Sequence, residues 1–255
     1  MTDLFQNFLV NFFGPVVLLL FVVFVIVFLI RGRKQSGRDL REIPAFERLK
    51  RTIGLAVEAG TRLHVSIGRG NLSDIQSAAA FAGLALLERI ARAASISDRP
   101  PVSTSGDGVL AILSQNTLRS AYKEIGAEAQ FDPGAGQISG VTPYSYAAGA
   151  MYVVADEGIS ASLLAGNFGS EVALLADIGE RSGCVTMGGS DQLNAQAILY
   201  AAAHEPLIGE ELYAGAAYLG AGGAHLASLK AQDVVRWVLI IIMIALALLR
   251  LFNIL

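Results

Sequence analysis

From residue 8 to residue 30 the chain carries no charged side chain, and Val16 to Ile30 is built of Val, Leu, Phe and Ile. A run of that length crosses a hydrocarbon core of roughly 30 Å as one helix, with Asn7, Asn11, Gly14 and Pro15 in the interface. The other end has the same character. Trp237 to Leu249 is unbroken apolar sequence, and a helix beginning near Val234 reaches the C-terminus in about twenty residues. Arg250 would snorkel toward a headgroup layer, and Trp237 would mark one interface. The N-terminal run does not read as a cleaved leader, because positive charge follows it and no small-residue cleavage site comes after it.

Between the two apolar ends the pattern changes. Pro44 opens a helix in which Phe46, Leu49, Ile53 and Val57 recur at three- and four-residue spacing, with Glu47, Arg48, Lys50 and Arg51 on other faces. From Arg62 onward short apolar strands alternate with helical patterns. Strands are expected at Leu63 to Ile67, Val102 to Ser105, Gln137 to Val141, Ala161 to Ala165, Cys184 to Met187 and Pro206 to Ile208. A capping box of Ser73 and Gln76 starts the first helix, and further helices are expected at roughly 107–125, 143–157, 170–182 and 191–203, the first three ending at Gly126, Gly158 and Gly183. Thr142 before Pro143, and Ser190 before Asp191, are helix starts. This alternation defines an α/β fold: a Rossmann-like three-layer domain with a mostly parallel sheet, flanked by N- and C-terminal transmembrane helices. The expected division is 1–30 for the first span, 31–60 for a basic linker and amphipathic helix, 61–208 for the α/β domain, 209–233 for a Gly/Ala-rich packing segment and 234–255 for the second span.

Charge orients this arrangement. Residues 31–51 hold eight Lys/Arg against Asp39, Glu42 and Glu47, a local balance of +5, so the rest of the chain carries −8 to give the formal −3. Basic residues that follow the first span and precede the second (Lys230, Arg236) put the central domain in the cytoplasm and both termini outside the inner membrane. The basic collar would attract anionic lipid, whereas an acidic domain without a basic, aromatic-studded stripe excludes nucleic acid as a partner. With 53% hydrophobic and 16% charged residues the chain is apolar for its length. The one cysteine, Cys184, rules out an intrachain disulfide and suits a reducing compartment.

In such a sheet ligands lie outside the carboxyl ends of the strands. The turns there are rich in small and polar residues: Gly68-Arg69-Gly70-Asn71, Ser105-Gly106-Asp107, Gly166-Asn167-Phe168-Gly169-Ser170 and Gly188-Gly189-Ser190-Asp191. Gly68, Gly70, Asn71, Gly166, Asn167 and Gly169 are the candidate anion-binding positions, because glycines let helix-start amides approach a phosphate. The first turn matches G-x-G-x-x-G only in part, since Ser73 stands at the third glycine and no acidic residue ends the second strand. Tight helix-on-sheet packing accounts for the same glycines. No Walker sequence and no G-x-S-x-G occur. His64, His204 and His225 are far apart; His204 with Glu205, Glu210 and Glu211 reads as solvated acids beside a satisfied histidine, so no metal is expected, and no cofactor and no catalytic residue. Cys184 reads as a small buried hydrophobe.

The segment 209–224 is Gly or Ala at most positions, with Tyr213 and Tyr218 as its aromatic residues. Ile67-Gly68-Arg69-Gly70, Leu207-Ile208-Gly209-Glu210-Glu211-Leu212, Ala214-Gly215-Ala216-Ala217-Tyr218-Leu219-Gly220 and Ala231-Gln232-Asp233 resemble the recurring words of an uncharacterised family of bacterial two-span membrane proteins with a domain of unknown function. That resemblance implies the architecture and no activity. Small residues allow close helix packing, within the protomer or between copies. Two functions follow as expectations: a membrane-anchored scaffold that forms a homo-oligomer through its transmembrane and Gly/Ala-rich helices, or a membrane-tethered sensor or enzyme that binds a phosphate-bearing small molecule at the glycine-rich turns.

Overall fold

The computed structural model describes residues 2–32, 41–70, 77–94, 97, 99–220 and 222–252. Two compact units result: Met1–Leu40 with Ala221–Leu255, and Arg41–Gly220. In the first, α1 (Thr2–Gly32) and α9 (Gly223–Leu251) pack against each other. Both are long and apolar enough to cross a membrane, with mean hydropathies of 2.8 over Gly14–Arg31 and 2.5 over the most apolar eighteen residues within Gly223–Leu251. The second helix was expected to begin near Val234. It starts eleven residues earlier, at Gly223, because Leu226, Leu229 and Val234 keep helical spacing across Lys230 and Asp233, and no residue between them breaks the pattern.

The second unit opens with α2 (Pro44–Ala59). Proline presets the first helical φ, and Gly60, at φ 63, closes the helix in the left-handed region while its amide bonds back to Ala56 and Val57. Phe46, Leu49, Ile53 and Ala56 are buried on one face, so the expected amphipathic helix is a layer of this unit. The strands are β1 (Arg62–Gly68), β2 (Val102–Ser105), β3 (Gly136–Ile138), β4 (Ile159–Asn167), β5 (Val185–Ser190) and β6 (Glu205–Leu207). They form one sheet in the order β3-β2-β1-β4-β5-β6, every pair parallel. The order reverses between β1 and β4, the arrangement of a doubly wound sheet.

Helices α3 (Ser77–Ala94), α4 (Gly108–Glu124) and α8 (Glu211–Tyr218) join α2 on one face, around Leu63, Val65, Ile67, Leu163 and Met187. The other face carries α5 (Pro143–Asp156), α6 (Val172–Arg181) and α7 (Leu193–Ala202), around Tyr146, Leu164, Phe168 and Leu175. Local chemistry sets the helix starts. Asp107 caps α4 by accepting from the amides of Val109 (2.9 Å) and Leu110 (3.1 Å), and Thr142 forms a capping box with Ser145 ahead of α5. The capping box expected of Ser73 and Gln76 lies outside the described residues.

Strand bounds differ from expectation: β1 gains one residue at each end and β6 shifts by one to Glu205–Leu207, and three differences are larger. β3 stops at Ile138 instead of Val141, because Gly140 (φ 153) turns the backbone toward the start of α5. β4 and β5 run further, so Gly166, Asn167, Gly188 and Gly189 lie in strands and not in turns: Leu164 pairs with Gly188, Ala165 with Gly189 and Gly166 with Ser190. The glycines make room for neighbours. A Cβ on Gly188 would sit 2.6 Å from Leu199, and one on Gly189 would sit 2.9 Å from Leu207.

The Gly/Ala-rich segment expected over 209–233 is divided: its first part, α8, packs inside this unit, and from Gly223 onward it belongs to α9. A Cβ on Gly215 of α8 would stand 2.8 Å from Leu86 and 3.1 Å from Phe46, so small residues let α8 lie close on α3 and α2. The two places where the chain leaves the unit are fastened together. The Tyr218 hydroxyl donates to the Arg41 carbonyl and its ring stacks on Phe46 at 4.7 Å. Arg41 pairs with Glu211 at 3.7 Å, and Arg89 donates to the Gly220 carbonyl at 3.3 Å.

Three close backbone approaches gather at the strand-order reversal. A Cβ on Gly166 would be 1.8 Å from the Ile67 carbonyl oxygen, one on Gly68 2.2 Å from that of Asn167, and one on Gly83 of α3 2.1 Å from that of Ala165. Gly166→Ala is therefore expected to cost about 3 kcal/mol or to prevent folding. Gly54→Ala, in α2 with nothing within 4 Å of the new Cβ, should stabilise by about 0.5–1 kcal/mol. Urea unfolding in mild detergent followed by far-ultraviolet circular dichroism checks both.

Candidate functional site at the carboxyl edge of the sheet

The reversal between β1 and β4 brings four of the six expected positions together. Gly68 ends β1 at φ 78, and the amide of the next residue, Arg69, donates to the Asn167 carbonyl at 3.0 Å. The Gly106 amide, in the turn after β2, donates to the Gly68 carbonyl at 2.9 Å. Gly166 backs directly onto Ile67. Three turns are thus sewn to one another by backbone bonds. Gly70 is buried beside them, Gly169 stands in the turn after β4, and Asn71 lies outside the described residues.

Side chains bond to one another and to further amides at these turns. The Asn167 amide group donates to both oxygens of Asp191 (2.9 and 3.1 Å), and its oxygen accepts from Gln192 at 3.3 Å. Ser190 Oγ accepts from the amides of Phe168 (3.2 Å) and Gln192 (3.3 Å). The Gly169 amide donates to Glu171 Oε1 at 3.0 Å. Glu171, 3% exposed in its side chain, also faces Arg69 Nε at 3.4 Å. At these turns the places that suit a foreign anion are taken by the chain's own carboxylates: Asp107 at α4 and Glu171 beside Gly169.

A second constellation lies beneath α5, where one face of the central strands is polar. His64 Nδ1 meets Ser162 Oγ at 2.8 Å, and its Nε2 meets Thr104 Oγ1 at 2.8 Å. Tyr146, fully buried on α5, accepts from the Gly68 amide at 3.2 Å and pairs with Ser66 Oγ. The row runs from Ser162 through His64 and Thr104 to Ser66 and Tyr146, ending at the turn of β1. Along the sequence His64 is far from the other histidines, and nothing in their spacing points to these partners. The available signal was the alternation of His64 and Ser66 with Leu63, Val65 and Ile67, which assigns polar side chains to one face of a strand.

Burial sets the protonation of these groups. Desolvation pushes the His64 imidazole down to about 3 and the Tyr146 phenol up to about 12, the latter partly offset by hydrogen bonds from Ser66, Thr104 and Gly68. The Cys184 thiol, buried at the head of β5, is pushed up to about 11 by desolvation. His64 is therefore neutral at neutral pH, with one ring nitrogen donating and the other accepting. His204 Nδ1 accepts from the Thr186 amide at 3.1 Å, Glu205 pairs with Arg48, and Glu211 accepts from the Ile208 amide at 3.1 Å. Among the described residues no group of three or more His, Cys, Asp or Glu could hold a metal ion.

Strand order and two helical layers define a doubly wound, Rossmann-like α/β unit, and the chain also carries two terminal apolar helices. The chain belongs to the family of the domain of unknown function DUF6754, which matches residues 2–255. No curated protein and no solved structure matches it.

The depressed His64 value has a measurable consequence. The unfolded chain takes up a proton at this histidine below its ordinary value of about 6.5, and the folded chain does so only near 3. Stability from this group is thus full above about pH 6.5 and falls as pH drops toward 3. Between pH 6.5 and pH 5 the loss should be about 2 kcal/mol. His64→Gln should flatten the slope of unfolding free energy against pH by about one proton in that window. Urea unfolding at pH 7, 6 and 5 measures it.

Proposed function

We propose that this protein is a membrane-anchored scaffold that self-associates into a homo-oligomer, with its terminal helices in the inner (cytoplasmic) membrane, its α/β unit in the cytoplasm and both termini outside. Anchoring is supported by the two apolar helices. Cytoplasmic orientation is supported by the basic residues that flank the spans.

One observation carries self-association. Phe81, Val109, Ile112, Val141, Tyr144 and Leu193 are all exposed, and all lie at or near helix starts on the carboxyl edge of the sheet. Large apolar side chains gathered on one edge mark a surface that gains by being covered. The small face of α8 is occupied within the protomer, so the reading assigns contacts between copies to α1, α9 and this edge. A scaffold role is further supported by the self-satisfied turns: the carboxylates and amides there bond to one another, and the buried histidine, phenol and thiol are shielded from solvent.

Native mass spectrometry in mild detergent should show multiples of the 26.8 kDa chain; a single-chain species at all concentrations would overturn the proposal. Val109→Asp with Ile112→Asp should lower the assembled fraction by about tenfold, a change of about 1.4 kcal/mol, without lowering the thermal midpoint. Carbonate washing should leave the protein in the membrane pellet, and release into the supernatant would remove the anchoring half of the reading.

A second reading, a membrane-tethered binder of a phosphate-bearing small molecule, is favoured by one feature. Arg69 lies over the point where strand order reverses, which is where ligands sit in doubly wound sheets. A thermal-shift screen of nucleotides and sugar phosphates tests it, and no rise in melting temperature with any of them counts against it.

A further inference from the structure

The way Arg69 is seated defines a site more closely than the glycines do. Its side chain does not extend into solvent. It lies across Gly106, so closely that a Cβ there would stand 2.3 Å from Arg69 Cγ and 3.0 Å from Cδ. Its far end reaches Glu171 on the opposite side of β1, with Nε 3.4 Å from Oε1. The side chain therefore spans from the turn after β2 to the turn after β4, directly over the reversal, with 27% of its surface exposed.

The ion pair is a poor one by arginine's standards. A guanidinium and a carboxylate reach full strength as a fork, with two short parallel bonds of about 2.7–2.9 Å. Here, among the described residues, one nitrogen makes one long contact. Glu171 is held independently by the Gly169 amide at 3.0 Å and is almost wholly buried, so it cannot swing out to improve the pairing. The cation is parked against an acid that fits it badly, over the place where strand order reverses, with its Nη fork paired to no described carboxylate.

We propose that the place above β1 and β4 where strand order reverses is a binding site for a phosphate group, that Arg69 is its receiving cation, and that the Arg69–Glu171 contact is a latch which the ligand opens. This rests on the phosphate-binding reading above and is independent of the scaffold. A phosphate offers the paired oxygens that Glu171 does not, and bidentate arginine–phosphate geometry is the stronger competitor. Gly106 is part of the device, because only a residue without a side chain leaves room for the arginine stem in its parked position.

The test is calorimetric titration of the full chain in mild detergent with inorganic pyrophosphate. Glu171→Gln keeps an oxygen toward the Gly169 amide and removes the competing charge, so it should tighten pyrophosphate by about tenfold. Gly106→Ala, at a position whose backbone is outside the left-handed region, should displace the stem and tighten binding in the same direction. Arg69→Gln should weaken binding by at least about tenfold, and Arg69→Lys, which keeps charge without the fork, should fall between. Thermal midpoints of each variant report folding. If Arg69→Gln loses binding but neither Glu171→Gln nor Gly106→Ala tightens it, the latch is overturned. If pyrophosphate binds the wild type and Arg69→Gln equally, the site is overturned while phosphate binding elsewhere stands. If no variant, including Glu171→Gln, binds pyrophosphate, the site and the phosphate reading both fall.

Discussion

Everything in the α/β unit is arranged around the approach of β1 to β4. Three glycines, Gly68, Gly83 and Gly166, each bring a backbone carbonyl of the facing segment to where a side chain would begin. This lets α3 lie close to the sheet and lets the two halves of the doubly wound topology meet without a gap. The bulge in the pairing of β1, between Ser66 and Gly68, falls at the same place. Backbone that would otherwise need side-chain or solvent partners is satisfied there by neighbouring turns: Arg69 by Asn167 and Gly106 by Gly68. The cost of such closeness is intolerance, since nothing larger than hydrogen fits at these positions.

The polar row under α5 depends on this closeness. Tyr146 can bond both Ser66 and the Gly68 amide because β1 ends where α5 begins to cross it, and His64 is held by hydroxyls from both neighbouring strands. A buried polar group without partners would cost several kcal/mol, about 2–7 by transfer measurements. With partners it narrows the number of ways β1, β2 and β4 can register, because a slip by one residue would strand an imidazole in an apolar layer. The network thus acts on the specificity of the sheet while keeping its own groups away from water.

Much of the fold was legible because alternation and helix punctuation are local. Pro44, Asp107 and Thr142-Pro143 begin helices where their chemistry says they should, and Gly126, Gly158 and Gly183 follow helices with φ between 64 and 73. Strand order was not legible, since it depends on pairings between residues about a hundred positions apart, such as His64 with Ser162. The full lengths of β4 and β5 were hidden by their glycines, which signal turns locally but serve here as gaps, Gly166 for the Ile67 carbonyl, Gly188 for Leu199 and Gly189 for Leu207. At the candidate site the glycine-rich turns were found by composition. Glu171, Tyr146 and the crossing of Arg69 over Gly106 were not, because each acquires meaning only once the strands are side by side.

The borders of the sheet have a bearing on how copies can meet. β3 and β6 are three residues each, and Pro206 sits in the middle of β6, where it has no amide to offer an incoming strand. A sheet so trimmed at both margins is a poor template for growth by strand addition. The proposed assembly of copies would accordingly be built by side-chain surfaces meeting one another, with a periodicity set by the width of the α/β body and not by the spacing of about 4.8 Å of a continuous ladder.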